Sequence, residues 1–195
     1  MDVKEAIEAR RAYRSFAPVT ITEDLVRDLA DAAHKSASCN NNQPWRYIFV
    51  YEKGQLARVQ EALSKGNVWA KAGSMVIAVL SRREYDCTPP DRDLFMFDTG
   101  MATAHLILRA TELGLLAHPI AGYDAQKVRE VLGIPPELVL IALIIVGRRA
   151  DEVSPTLLEW QVERDTGPRQ RKPLEEVVHL DAYHPEQEKW APRPK

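Results

Sequence analysis

The chain of 195 residues is long enough for one domain with a sizeable core and too short for two ordinary ones. Its composition, 45% hydrophobic and 28% charged, excludes a disordered or fibrous protein. A formal charge of -2, from 26 basic against 28 acidic residues, argues against a dedicated binder of nucleic acid or anionic membrane, which draws its affinity from a basic surplus.

The first predicted helix runs from Val3 to Arg10, on the spacing of Val3, Ala6, Ile7 and Arg10. Thr20 to Glu23 reads as a capping box ahead of a second helix striped by Leu25, Val26, Leu29, Ala32 and Ala33. Ser36 to Pro44 is a polar, amide-rich loop, and Trp45, Tyr47, Phe49 and Tyr51 then recur at strand period. Leu56, Val59 and Leu63 mark a third helix, and the unbroken apolar run Ser74 to Leu80 predicts a buried strand. A proline-containing loop, Cys87 to Asp93, precedes the longest helical pattern, from Phe95 to Leu113, which Gly114 closes. Leu115 to Ile120 is a short strand, and Asp124 caps a helix carrying Val128, Val131 and Leu132. Pro135 and Pro136 separate that helix from the apolar strand Leu138 to Val146. About four strands alternating with helices predict an α+β fold, an α/β sandwich with a central sheet covered by helices.

After Gly147 the character changes. Six of the 13 prolines lie between Pro155 and Pro194, and large apolar residues become scattered. Such a tail has little to bury against itself, yet Leu174 to Leu180 is competent to form a strand. An arm that wraps a partner subunit is favoured over a free tail. The single domain thus divides into a core over residues 1–150 and an arm over residues 151–195. The two cysteines, Cys39 and Cys87, suggest no disulfide framework and a reducing, cytoplasmic compartment, with Cys39 a buried structural thiol. No signal peptide is legible at the N-terminus, and the longest apolar stretch is less than half a membrane span.

The chemistry-bearing motifs begin with absences. The sequence holds no G-x-G-x-x-G, Walker loop, G-x-S-x-G or C-x-x-C, and its five histidines lack zinc-ligand spacing, so no metal is expected. Four segments remain. They are Arg10-Arg11-Ala12-Tyr13-Arg14-Ser15-Phe16 at the end of the first helix; Ser38-Cys39-Asn40-Asn41-Asn42-Gln43-Pro44-Trp45 before the first strand; His118-Pro119-Ile120-Ala121-Gly122-Tyr123; and Arg169-Gln170-Arg171-Lys172-Pro173-Leu174-Glu175-Glu176-Val177-Val178 in the tail. Singly, each has a bland reading as a helix end, a turn or a solvated tail. Of the 26 cations 17 are arginine, and two of these segments gather them without acids between.

In this order and spacing the four segments resemble the FMN-dependent nitroreductase family, from about Val3 to Val178. Asp98 to Leu115 is also similar to that family's long central helix. The resemblance implies a nitroreductase-like fold with a central mixed sheet and a C-terminal arm exchanged in a homodimer. It implies FMN as cofactor and NADH or NADPH as electron donor. The activity implied is reduction of nitroaromatics, quinones or related electron-poor acceptors in a ping-pong cycle, with the flavin rather than a side chain carrying the chemistry. Neither nucleic acid nor membrane is an expected partner. Within the same fold, reductive dehalogenation, flavin breakdown or non-catalytic flavin binding are the alternatives.

By resemblance, Arg10, Arg169 and Arg171 meet the FMN phosphate, because guanidinium forks combine charge with bidentate hydrogen bonds. Arg11 and Ala12 line the ribityl chain, although a Ser usually stands where this chain has Ala12. Arg14 lies towards the pyrimidine edge of the ring. Ser38, Cys39, Asn41 and Gln43 reach the flavin across the dimer interface. Pro119, Ile120, Ala121 and Gly122 pass against the ring, with the backbone of Ala121 and Gly122 near N5 and O4. Lys65 and Asn67 align loosely with polar residues of the family's site. Tyr85 to Arg92 and the surroundings of Trp69 are candidates for a lid.

Overall fold

A computed structural model of the chain describes residues 1–187. Helix α1 (Val3–Ala9) starts at a capping box, in which the Glu5 amide donates to Asp2 Oδ1 at 2.8 Å and the Asp2 amide to Glu5 Oε2 at 2.7 Å. After β1 (Phe16–Ala17), helix α2 (Glu23–His34) begins at Thr22, whose Oγ1 accepts from the Leu25 amide. The cap therefore stands two residues beyond the expected Thr20. Strand β2 (Arg46–Val50), helix α3 (Lys53–Gln60), strand β3 (Met75–Ser81) and the long helix α4 (Leu94–Glu112) follow. Gly114, at φ +72°, ends α4 as expected, since that conformation favours glycine. Strand β4 (Leu116–Ile120), helix α5 (Ala125–Leu132, capped by Asp124), strand β5 (Val139–Arg149) and helix α6 (Glu159–Thr166) complete the order.

β5 pairs with β1, β3 and β4, and β3 in turn with β2, every pairing being antiparallel. The mixed character expected of the sheet is thus not found among the described strands. Both faces of the sheet are covered, which explains why β3 reads as one apolar run: all seven of its residues are buried. Val76, Ala78 and Leu80 face a core layer with Val59, Trp69, Val128 and Ile145, while Met75, Ile77 and Val79 face Leu29, Leu106, Ala110 and Ile144 on the other side. Arg109 joins α4 to α2 by a fork on Asp28, with Nη2 2.7 Å from Oδ2.

The tail departs from expectation in two ways. Helix α6 was not legible, and it packs back on its own chain through buried Gln161 and Asp165. Leu174 to Leu180 forms no strand here; Leu174–Glu176 is a 3₁₀ turn, and Leu174, Val177 and Leu180 are exposed. A lone strand has no partner for its backbone groups, so sequence competence for a strand becomes structure only beside a sheet edge. Residues 188–195 of the expected arm lie outside the described residues. Among the described residues no helix is long and apolar enough to cross a membrane.

Candidate functional site

The two arginine segments, about 155 residues apart in sequence, meet in space. The Arg10 guanidinium is made less basic than usual first by burial and then by Arg169, Arg171 and Arg11. Among the described residues no carboxylate forms an ion pair with any of the four. Such a cluster carries a standing repulsion that an anion relieves, and a phosphate suits it. The C-terminal end of α1 positions it. Arg169 donates to the Glu8 carbonyl at 2.6 Å and to the Arg10 carbonyl, where a cation meets the negative end of the helix. Arg11 donates to the carbonyls of Gly167 at 2.8 Å and Arg164 at 3.2 Å, tying the α6 exit to the same place. Ala12 is exposed.

Arg14 is fixed from behind by residues that sequence reasoning missed. Its amide donates to Asp165 Oδ1 at 2.5 Å, and the Ser15 hydroxyl donates to Asp165 Oδ2 at 2.7 Å. Its guanidinium lies between the rings of Trp160, 5.4 Å away, and Trp69, 5.8 Å away. Burial makes Arg14 less basic, Asp165 opposes that shift, and Arg164 adds to it. Trp69 is 2% exposed, stacks on Phe16 and packs at a tilt against His118, so the ring itself belongs to the core. His118 Nδ1 sits 2.8 Å from the Tyr13 carbonyl, which can only accept, so that nitrogen carries the proton. Burial, the leading cause, pulls His118 down to about 4.

The 119–122 segment is packed against the turn at Ser64 and Asn67. The Gly122 carbonyl accepts from Asn67 Nδ2 at 2.9 Å and from the Ser64 amide at 3.1 Å. A Cβ on Gly122 would lie 2.5 Å from Asn67 Nδ2. Gln161 Nε2 donates to the Gly66 carbonyl at 2.8 Å, so α6 braces this turn from the other side. Pro119 and Ala121 are exposed and Ile120 is buried. Asn67 thus joins the 119–122 segment, whereas among the described residues no side-chain hydrogen bond or ion pair ties Lys65 to it.

The 38–43 loop stands elsewhere. It leads into β2, which β3 and β5 separate from β4, so the two groups flank opposite edges of the sheet. Three strand spacings amount to about 14 Å. Asn40, Asn41 and Gln43 have φ of 49°, 58° and 51°, with right-handed Asn42 between them; Asn tolerates the left-handed region better than most residues. The Cys39 amide donates to Asp98 Oδ2 at 2.7 Å, and the Gln43 amide to Ser38 Oγ at 2.9 Å. The expectation of free thiols is corrected: Cys39 and Cys87 form a disulfide. Their 48-residue separation carries no pairing signal in sequence, and both are half-buried rather than buried. The 85–92 segment is accordingly fastened, by Cys87 and by Tyr85 beneath Arg46 and Arg82. A groove of about 680 Å³ runs along β2, lined by Arg27, His34, Gln43, Trp45, Tyr47 and Phe49. Gln43 is the one expected cofactor residue in it.

A five-stranded antiparallel sheet covered on both faces defines an α+β protein, and its gathered arginines make a place suited to an anion. The nitroreductase family model matches residues 7–68 and 55–148, and the chain belongs to that family. It is 27% identical over 154 residues, 75% of this chain and 84% of the other, to a putative NADH dehydrogenase/NAD(P)H nitroreductase of Archaeoglobus fulgidus. A crystal structure described as an oxidoreductase containing FMN is similar at 28% identity and a TM-score of 0.81, over 94% of both chains. A nitroreductase family protein from Clostridium novyi NT is similar at 25% identity and a TM-score of 0.71, over 77% of this chain and 87% of that one. The chain is therefore an oxidoreductase by family.

Proposed function

We propose that this chain is an FMN oxidoreductase that draws hydride from NADH or NADPH and reduces nitroaromatics, quinones or similar electron-poor acceptors in a ping-pong cycle, as a homodimer with two sites. The observation that carries the reading is the gathering of Arg10, Arg11, Arg169 and Arg171 without an ion-paired carboxylate among the described residues. FMN, when bound, supplies the hydride acceptor and donor. Arg10, Arg169 and Arg171 hold its phosphate, and Arg11 with Ala12 lines the ribityl chain. Arg14 offers a fixed cation to the pyrimidine edge, where it favours negative charge on the ring. Pro119 to Gly122 bring backbone close to the ring, with Ala121 and Gly122 at its reacting edge.

The loop of Ser38, Cys39, Asn41 and Gln43 completes the site from the second chain. Its place at the opposite sheet edge supports this, since one chain does not bring the two groups together. The exposed Leu174, Val177 and Leu180 favour an arm that becomes ordered along the partner's β2 groove, adding a strand to its edge. The deciding experiment is a visible spectrum of the purified protein before and after NADH or NADPH is added without oxygen. Flavin absorbance that bleaches with either nicotinamide and returns with a quinone is expected. A protein that is colourless and takes up no added FMN sinks the reading.

A further inference from the structure

We propose that Cys39 and Cys87 form a thiol–disulfide exchange site whose co-substrate is a dithiol, and that opening the bond releases the 38–43 loop. The chain's only two cysteines come from two loops and meet at a Cα–Cα distance of 6.0 Å. Both are half-buried within one chain, which leaves the sulfurs open to an attacking thiolate where the partner subunit does not cover them. The two sulfurs differ in their surroundings. Asn40 Nδ2 and Asn42 Nδ2 donate to Cys87 Sγ at 3.4 and 3.6 Å, which stabilises negative charge on that sulfur. Cys87 is therefore the better leaving group, and attack falls on Cys39.

The carboxylate of Asp86 lies beside the bond, and Asp98 accepts from the Cys39 amide at 2.7 Å. Asp86 is 8% exposed, and a carboxylate oxygen of it lies within 4.8 Å of both sulfurs. Asp98 is 3% exposed and is held towards its protonated form by burial first, with Asp86 adding to the shift. A thiolate of the dithiol attacks Cys39 Sγ, the Cys39–Cys87 bond breaks, and Cys87 leaves as a thiolate that takes up a proton. The second thiol then attacks the mixed disulfide and releases Cys39 as a thiol. Two electrons and two protons pass to the cysteine pair, and the dithiol leaves as a disulfide.

The loop is poised to respond, because left-handed Asn40, Asn41 and Gln43 persist only under outside restraint. The disulfide is the covalent restraint, alongside the Cys39–Asp98 and Asn42–Asp86 hydrogen bonds. That the released loop also loosens the cofactor rests on the proposed function; the exchange itself does not.

The test equilibrates the purified protein, with whatever cofactor it holds, in mixtures of reduced and oxidised dithiothreitol under nitrogen. Free thiols are then trapped by alkylation and counted by mass. A single step of two thiols in a protein that keeps its circular dichroism is expected. Brief exposure to glutathione should leave the adduct on Cys39 at least tenfold more often than on Cys87. Amides of residues 38–43 should exchange hydrogen at least tenfold faster in the reduced protein. A pair that resists reduction until the protein unfolds overturns the proposal, as does a pair already alkylated in air. Unchanged hydrogen exchange overturns the release of the loop. A colourless protein that still gives the two-thiol step upholds the exchange site while sinking the flavin reading.

Discussion

Arg10 shows how a near-neutral protein can hold an anion site. The overall charge of -2 describes the surface, but burial and three neighbouring cations act on this one side chain. Charge-assisted hydrogen bonds to a phosphate are worth roughly 1.5–3 kcal/mol each. Arg10→Ala or Arg171→Ala should therefore weaken FMN binding at least tenfold in a fluorescence titration, with Arg58→Ala on exposed α3 as the control. Equal affinities for all three would remove the cluster from the site. Gly122 makes a different demand, since an added methyl would lie 2.5 Å from Asn67 Nδ2 and 2.8 Å from Ser64 Oγ. Gly122→Ala should lower the urea midpoint and displace the turn, and adding Asn67→Ala should recover part of the loss. At this scale the gathering of the arginines was legible, because each arginine motif can be read locally. Asp165 was not, since nothing 150 residues from Ser15 announces the buried hydroxyl it satisfies.

Elements were legible where one residue pattern decides them. β3 and β5 are apolar runs, and α2 and α5 carry a single stripe and a side-chain cap. β1 has two residues, too few for any period, and α6 is mostly polar, so its place is set by Gln161 and Asp165 finding partners. β4 brings a buried histidine with a consequence for stability. Folding lowers His118 from 6.5 to about 4, so the unfolded chain binds the extra proton between those values. The contribution is complete above pH 6.5 and is lost as pH falls through 4, amounting to about 3 kcal/mol. Urea unfolding from pH 7 to pH 4 should show that loss in the wild type and a flatter profile in His118→Asn. The disulfide joins the approach to β2 to the approach to α4 across a separation of 48 residues. Closing a loop of that length is worth about 4 kcal/mol by the chain-entropy account. Cys87→Ser should lower unfolding stability by up to that amount, and reductant should then have no further effect on the variant.

At the scale of the molecule, the proposed site asks for two chains. The arginine group and Gly122 flank β4, the Asn41 loop precedes β2, and β5 and β3 lie between them. Residue patterns alone do not carry this division, since the segments simply follow one another; the family resemblance implies it, and strand order supports it. A composite site makes a prediction that a site within one chain does not share. Chains carrying Arg10→Ala and chains carrying Asn41→Ala should each hold FMN poorly as homodimers. In a mixed dimer one site combines both lesions, while the other joins an intact arginine cluster to an intact loop. If the two variants are unfolded together and refolded at equal concentration, half the dimers are mixed, and about a quarter of all sites should regain normal FMN affinity. Fluorescence titration of the mixture should resolve that tight fraction, and separately refolded samples should lack it. A mixture that behaves as the sum of its parts would place the cofactor within one chain and leave the 38–43 loop a purely structural role.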